Sequence, residues 1–295
     1  MTESPGLFVI GHGTRDAAGV AEFRRFLTVV QAAVPAVAVA GGFIEFAQPD
    51  LDTAVDELVG AGGGQYGVVA VPLVLLGAGH MKDDGPAALA RARERHPGVA
   101  MAYGRELGVH PTVLALAERR AREAMDDAAA GMHATVLVGR GSTDPDANSD
   151  LYKASRLLWD HRGLGLVEPA FVSLAPPGVG DAMERCRRLG ATAITVVPYF
   201  LFAGVLPDRI DTEARAWATK HPDIDVRVGR HFGPAPELAA LVIERYEEAR
   251  RGDARMNCDC CAYRTPLPGY ESRVGQPLVV HRHHHDHPPR HVHSH

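Results

Sequence analysis

Two histidines and a glutamate stand where three successive apolar runs end. His12 lies in Gly11-His12-Gly13-Thr14-Arg15, directly after Leu7-Phe8-Val9-Ile10. Glu45 closes Phe43-Ile44-Glu45-Phe46, and His80 sits in Leu75-Leu76-Gly77-Ala78-Gly79-His80-Met81-Lys82-Asp83-Asp84. Two imidazoles and a carboxylate suit a divalent transition metal better than magnesium or calcium, which take all-oxygen shells. An imidazole with an unperturbed pKa near 6.5 also accepts a proton at neutral pH. A site that holds a metal loosely and takes protons from its ligand is what metal insertion into a macrocycle needs. The glycines around both histidines leave room for a bulky, flat ligand to approach the backbone.

Those three residues must be carried by some scaffold, and the chain describes it twice. Leu7-Phe8-Val9-Ile10-Gly11-His12-Gly13-Thr14 matches Thr135-Val136-Leu137-Val138-Gly139-Arg140-Gly141-Ser142. Phe43 to Pro49 matches Phe171 to Pro177, Val68 to Leu73 matches Ile194 to Tyr199, and Val99 to Arg105 matches Val226 to Arg230. Four blocks in one order mark an internal repeat. Between the blocks, Val20 to Ala33, Leu51 to Gly60 and Ala87 to Arg95 place apolar residues at three- and four-residue spacing, and glycines such as Gly62-Gly63-Gly64 stop them. The expected fold is α/β: two tandem doubly wound parallel-sheet domains of four strands each, related by duplication and facing each other across a cleft. Residues 1–130 form the first domain and carry the site, 131–255 form the second, and 256–295 are a tail, with the boundary near Asp126 to His133. In open parallel sheets ligands bind beyond the carboxyl ends of the strands, where His12, Glu45 and His80 all fall. The second copy has Arg140, Ser173 and Leu206 at those places. A requirement of the fold would apply to both copies, so the trio reads as a site kept in one half and lost in the other.

The chain of 295 residues has room for two domains, and 46% hydrophobic with 23% charged residues excludes wholesale disorder. A net charge of −5 offers no basic field for nucleic acid. No apolar run reaches the length of a membrane span, and Met-Thr-Glu-Ser-Pro is no signal peptide, so a soluble cytoplasmic protein is expected. Three of the four cysteines, Cys258, Cys260 and Cys261, are crowded together, which favours metal or iron–sulfur ligation over a disulfide framework. Iron–sulfur clusters need four ligands as a rule. The remaining cysteine, Cys186, on a helix expected over Asp181 to Leu189, completes that number; the alternative is a buried apolar Cys186 and a triplet that binds zinc or nothing. Eight of the 16 histidines lie in His281 to His295, a composition typical of a disordered metal-binding tract. Storage or delivery of metal is its attractive role, and an expression tag the competing explanation.

The His12 and His80 segments, together with the duplication and the tail, resemble the long-form sirohydrochlorin chelatases, a branch of the class II tetrapyrrole chelatases. The resemblance covers residues from about 5 to 250. It implies that His12 and His80 bind the incoming metal and assist loss of two pyrrole N–H protons, with Glu45 the weaker carry-over. It implies cobalt or ferrous iron as the metal and sirohydrochlorin, a flat tetrapyrrole with eight carboxylates, as the partner, in cobalamin or siroheme biosynthesis. Arg15, Lys82 and Arg140 are then placed to pair with those carboxylates; each is equally readable as a solvated loop charge. Met256-x-Cys258-x-x-Cys261 is similar to a pattern that accompanies an iron–sulfur centre in some members, of a type that the spacing leaves open. A monomer or weak homodimer is expected, with neither nucleic acid nor membrane as partner. The competing reading is a metal-storage or metallochaperone protein on a chelatase-like body. A phosphate-binding α/β enzyme is disfavoured, since no glycine-rich phosphate loop follows a strand.

Overall fold

A computed structural model describes residues 4–125, 131–160 and 162–254, without the side chains of His80 and Met81. The first half runs β1 (Gly6–Gly11), α1 (Ala17–Ala33), β2 (Val39–Phe43), α2 (Leu51–Leu58), β3 (Val68–Pro72), α3 (Gly79–Lys82), α4 (Asp84–Arg95), β4 (Met101–Tyr103) and α5 (Pro111–Ala124). The second runs β5 (Met132–Gly139), α6 (Pro145–Trp159), β6 (Leu166–Phe171), α7 (Val179–Arg188), β7 (Ala191–Pro198), α8 (Val205–Lys220), β8 (Asp225–Val228) and α9 (Pro236–Arg250). Met132 and His133, which the sequence reading assigns to the boundary, open β5; residues 126–130 lie outside the described residues.

Each half is a parallel sheet of four strands, in the orders β2-β1-β3-β4 and β6-β5-β7-β8. The duplication extends to register. Gly11 pairs with Phe43 as Gly139 pairs with Phe171, and Ile10 with Pro72 as Val138 with Pro198. Alternation along the strands sorts side chains to two faces. Phe8 and Ile10 pack with Leu51, Val55 and Leu89 of α2 and α4, whereas Leu7 and Val9 join the core that contains Phe23, Phe26 and Val30 of α1. In the second half Val136 and Val138 pack with Met183 and Ile210, from α7 and α8, while Leu137 turns into that same shared core.

The shared core arises because the last helix of each half covers the other half's sheet. Helix α5 packs on β7 and α6, and α9 packs on β3, β4 and α1. Two equivalent arginines latch the exchange. Arg245 of α9, fully buried, donates to the Glu106 and Leu107 carbonyls at 3.1 and 3.4 Å, and to Glu248 at 2.8 Å. Its mate Arg120 of α5 donates to the His231 and Phe232 carbonyls at 3.0 and 2.6 Å, and to Glu123 at 2.7 Å. The sequence boundary near residue 130 therefore divides the chain without dividing the packing. Among the described residues no helix is long and apolar enough to cross a membrane.

Candidate functional site

The site is built where the loops after β1 and β5 meet. His12 is the first residue beyond β1, and the strand pairing continues past it: Glu45 N–H donates to the His12 carbonyl at 3.0 Å. That bond sets the two side chains on neighbouring strand ends. The crossing is tight, because Gly13 adopts φ of +98° and a β-carbon there would strike the Glu45 carbonyl, a place only glycine fills comfortably. Gly141 and Ser173 repeat the arrangement in the second half.

His12 Nδ1 stands 3.4 Å from Glu45 Oε1, with the carboxylate only 11% exposed. The other ring nitrogen, Nε2, accepts from the Arg140 guanidinium at 3.0 Å. Arg140 is the residue equivalent to His12 in the repeat, so the mates face one another across the junction. The backbone of His80 lies in the first turn of α3, a short helix where the sequence reading expected a loop. Its mate Leu206 lies correspondingly in the first turn of α8 and packs on the second half's core. Among the described residues no three His, Cys, Asp or Glu side chains form a metal shell.

The three basic residues have different surroundings. Arg15 is exposed and lies with its guanidinium 4.7 Å from the centre of the Phe46 ring, itself 44% exposed beside Glu45. Arg140 is exposed at the cleft. Lys82, by contrast, is committed inside the protein. Its ammonium bonds Asp144 at 2.8 Å and Asp146 at 2.6 Å, at the N-terminus of α6. Burial disfavours that charge, and the two aspartates outweigh it and hold Lys82 protonated above its ordinary range. This pairing takes Lys82 away from the exposed role that the sequence suggested and makes it a tie between α3 and the second half. Asp144 also caps α6 through the Asp146 N–H at 3.1 Å, so one carboxylate fixes both the helix and the tie.

Cys186 is likewise placed differently. It is fully buried on α7 within the second half's core, and burial pushes its thiol up to about 12. A thiol enclosed by Val136, Met183 and Ile210 supplies no thiolate to a cluster outside that core, so the four-cysteine shell does not fit. Cys258, Cys260 and Cys261 and the histidine tract lie outside the described residues.

Sequence reasoning missed a second set of mates. Glu22 of α1 accepts from the Ala203 N–H at 2.7 Å and meets His231 Nε2 at 2.9 Å. The equivalent pair in the other junction is Asp150 of α6 and Glu106, two acids; Glu106 is 6% exposed and its Oε2 has no hydrogen-bond partner among the described residues. Burial first, and then the Glu106 charge, raises the Asp150 carboxyl to about 6. Extending the repeat alignment past β4 and β8 brings these positions into register. A cavity of about 660 Å³ beside His231, lined by Arg119, Arg120 and Arg230, does not include His12 in its lining, and its arginines are already bonded to Glu237 and Glu123.

Comparisons with known proteins bear on the family and the two-domain fold. The CbiX family model matches the chain twice, over residues 6–124 and 134–249. A sirohydrochlorin cobaltochelatase of Priestia megaterium is 38% identical over 86% of this chain and 83% of its own length. A sirohydrochlorin ferrochelatase of Bacillus subtilis is 26% identical over 87% of this chain and 97% of its own. Among solved structures, SirB from Bacillus subtilis with Fe3+ superposes with a TM-score of 0.73 at 26% identity, covering 86% of this chain and all of that one. The sirohydrochlorin chelatase SirB in complex with cobalt, from Bacillus subtilis subspecies spizizenii, does so with a TM-score of 0.69 at 26% identity, covering 84% and 96%.

Proposed function

The chain belongs to the CbiX family, and we infer from that membership and from the His12–Glu45 pair that it inserts a divalent metal ion, cobalt or ferrous iron, into sirohydrochlorin. One metal ion enters the macrocycle and two pyrrole N–H protons leave, so the groups required are a transient metal ligand and a proton acceptor. The observation that carries the reading is the placement of His12 and Glu45 on adjoining strand ends, 3.4 Å apart and facing the other half. An imidazole backed by a carboxylate serves both requirements: it offers a nitrogen to the metal, and the carboxylate steadies the charge of a transferred proton.

His12 and His80 hold the incoming metal, with Glu45 orienting His12 and assisting proton loss. Arg15 and Arg140, both exposed beside the site, pair with substrate carboxylates, and Arg15 does so from its seat on the Phe46 ring. Lys82 acts as a positioning residue, tying the helix that carries His80 to Asp144 and Asp146. Residues 1–130 supply the site and 131–255 the opposing wall. An iron–sulfur centre is assigned to Cys258, Cys260 and Cys261, with a fourth ligand other than Cys186; no step of the insertion passes through it. The histidine tract supplies metal to the cleft. The reaction is placed in the cytoplasm, in cobalamin or siroheme biosynthesis. The test is an absorbance assay of the purified chain with sirohydrochlorin and, separately, Co2+, Fe2+ and Ni2+. Metal-dependent conversion of the free-base spectrum is expected; absence of conversion with all three rejects the reading.

A further inference from the structure

We propose that Arg140 is a gate on the metal site that the substrate itself opens. In the free enzyme its guanidinium occupies His12 Nε2; a carboxylate of the bound tetrapyrrole draws it away and frees that nitrogen for the metal. The proposal rests on the reading above that the tetrapyrrole binds in this cleft.

The geometry is mutually exclusive. A guanidinium nitrogen 3.0 Å from Nε2 donates into the ring's lone pair, because arginine has donors and no acceptor. A metal ion bound at Nε2 needs the same lone pair. The ring's other nitrogen is turned toward Glu45, at 3.4 Å. Charge acts in the same direction as geometry, since a fixed guanidinium a few ångströms from the ligand repels an approaching dication.

The surroundings of Arg140 show what would move it. Its side chain is exposed, and among the described residues His12 is its one hydrogen-bond partner. Lys82, a neighbouring cation, is neutralised by two aspartates. Among the described residues no carboxylate pairs with Arg140, and a neutral imidazole is a weaker partner for a guanidinium than a carboxylate, which accepts two parallel, charge-assisted bonds. A polycarboxylate entering the cleft therefore wins the guanidinium from His12. The main chain need not follow, because the Arg140 carbonyl remains held by the Ser173 N–H at 3.0 Å. Tetrapyrrole and metal then bind in that order, and each raises the other's affinity by the same factor.

The test is Co2+ titration calorimetry on the full-length chain and its Arg140→Gln variant without tetrapyrrole. His12→Ala and the double variant serve as backgrounds, to subtract metal bound elsewhere on the chain. The His12-dependent Co2+ affinity is expected to rise about tenfold in Arg140→Gln, and initial-rate patterns to change from ordered to random addition. Arg140→Lys, which keeps the charge, should stay near the parent. An unchanged or weaker His12-dependent affinity in Arg140→Gln overturns the gate, as does an Arg140→Lys variant that behaves like Arg140→Gln. If Arg140→Gln gains affinity while sirohydrochlorin gives no spectral change with the parent enzyme, the gate stands and the substrate assignment falls.

Discussion

Replacing Asp150 with asparagine is expected to stabilise the protein at pH 8, and to do so by about half as much at pH 5. Asp150 is half-buried on α6, and its carboxyl is raised to about 6, first by burial and then by the Glu106 charge; Asp146 adds to the effect, while Lys153 and Lys82 oppose it. An acid whose pKa is higher in the folded than in the unfolded chain binds its proton more tightly when folded. Folding stability therefore falls as pH rises from the unfolded value through 6, and the full penalty applies above that. The raised pKa corresponds to at most about 3 kcal/mol, and partial exposure to solvent reduces this to about 1–2 kcal/mol. Asparagine keeps the shape and removes the charge. Urea unfolding of parent and Asp150→Asn at pH 5, 6, 7 and 8 isolates the effect, because all other groups titrate alike in both. A second variant follows from the duplication. Where the other junction has Glu22 and His231 at 2.9 Å, this one has Asp150 and Glu106. Glu106→His restores the opposite pairing and should flatten the same pH dependence while Asp150 stays ionised. A stability difference between parent and Asp150→Asn that does not change from pH 5 to 8 refutes the reasoning, as does a variant less stable at pH 8.

Four further outcomes are expected. His12→Ala should lower the rate of metal insertion by roughly 100-fold or more at saturating metal, with unfolding unchanged, since the residue lies beyond the end of β1; near-full turnover would remove it from the reaction. Lys82→Met leaves Asp144 and Asp146 without a counter-ion and should cost about 3 kcal/mol, most of it recovered when both aspartates become asparagine; an unaltered unfolding midpoint would show that the tie contributes nothing. Cys186→Ser should cost about 1–2 kcal/mol through a buried hydroxyl and leave iron and acid-labile sulfide content as in the parent; bleaching would restore Cys186 to the shell. Truncation after Gly275 should lower the rate only when metal is scarce against a competing chelator; superimposed curves at low metal would end the delivery role.

Strands β1, β3, β5 and β7 were legible because each is a short apolar run ended by glycine or proline, and the duplication supplied each twice; β2 and β6 instead end at Phe43 and Phe171, the residues on which the second repeated block of the sequence begins. Leu7 to Gly11 and Thr135 to Gly139 became equivalent strands with equivalent register. His12 directly follows β1, and Glu45 lies two residues beyond β2. The helix exchange was not legible. The apolar stripe of α5, with Val113, Leu116 and Ala117, resembles that of α9, with Leu238, Leu241 and Val242, and nothing local says which sheet either covers. The Lys82 tie was hidden for a related reason: its partners lie more than 60 residues away, and spacing along the chain carries no information about them. The burial of Cys186, the alternative left open by the cysteine count, is written in the periodicity of its helix. Val179, Ala182, Met183 and Cys186 recur at helical spacing on one face, and that stripe is the buried one.

The duplication also explains how one junction can hold groups with opposite tasks. In a symmetric pair of identical halves, a residue on the axis faces its own copy, so a metal-binding imidazole would face another imidazole and a guanidinium another guanidinium. Fusing the halves into one chain removes that constraint and lets the two positions diverge. Here they have become His12 and Arg140, in contact at 3.0 Å, one able to bind a cation and the other an anion. Glu45 and Ser173 diverged in the same sense, so that acidic and imidazole groups gather in the first half while the second presents a cation and a hydroxyl. On the roles proposed above, a flat polyanion that accepts a dication at its centre is held at its rim from one side and receives its metal from the other. The helix exchange supplies what such division of labour needs, because with α5 on the second sheet and α9 on the first, neither wall can move without the core they share.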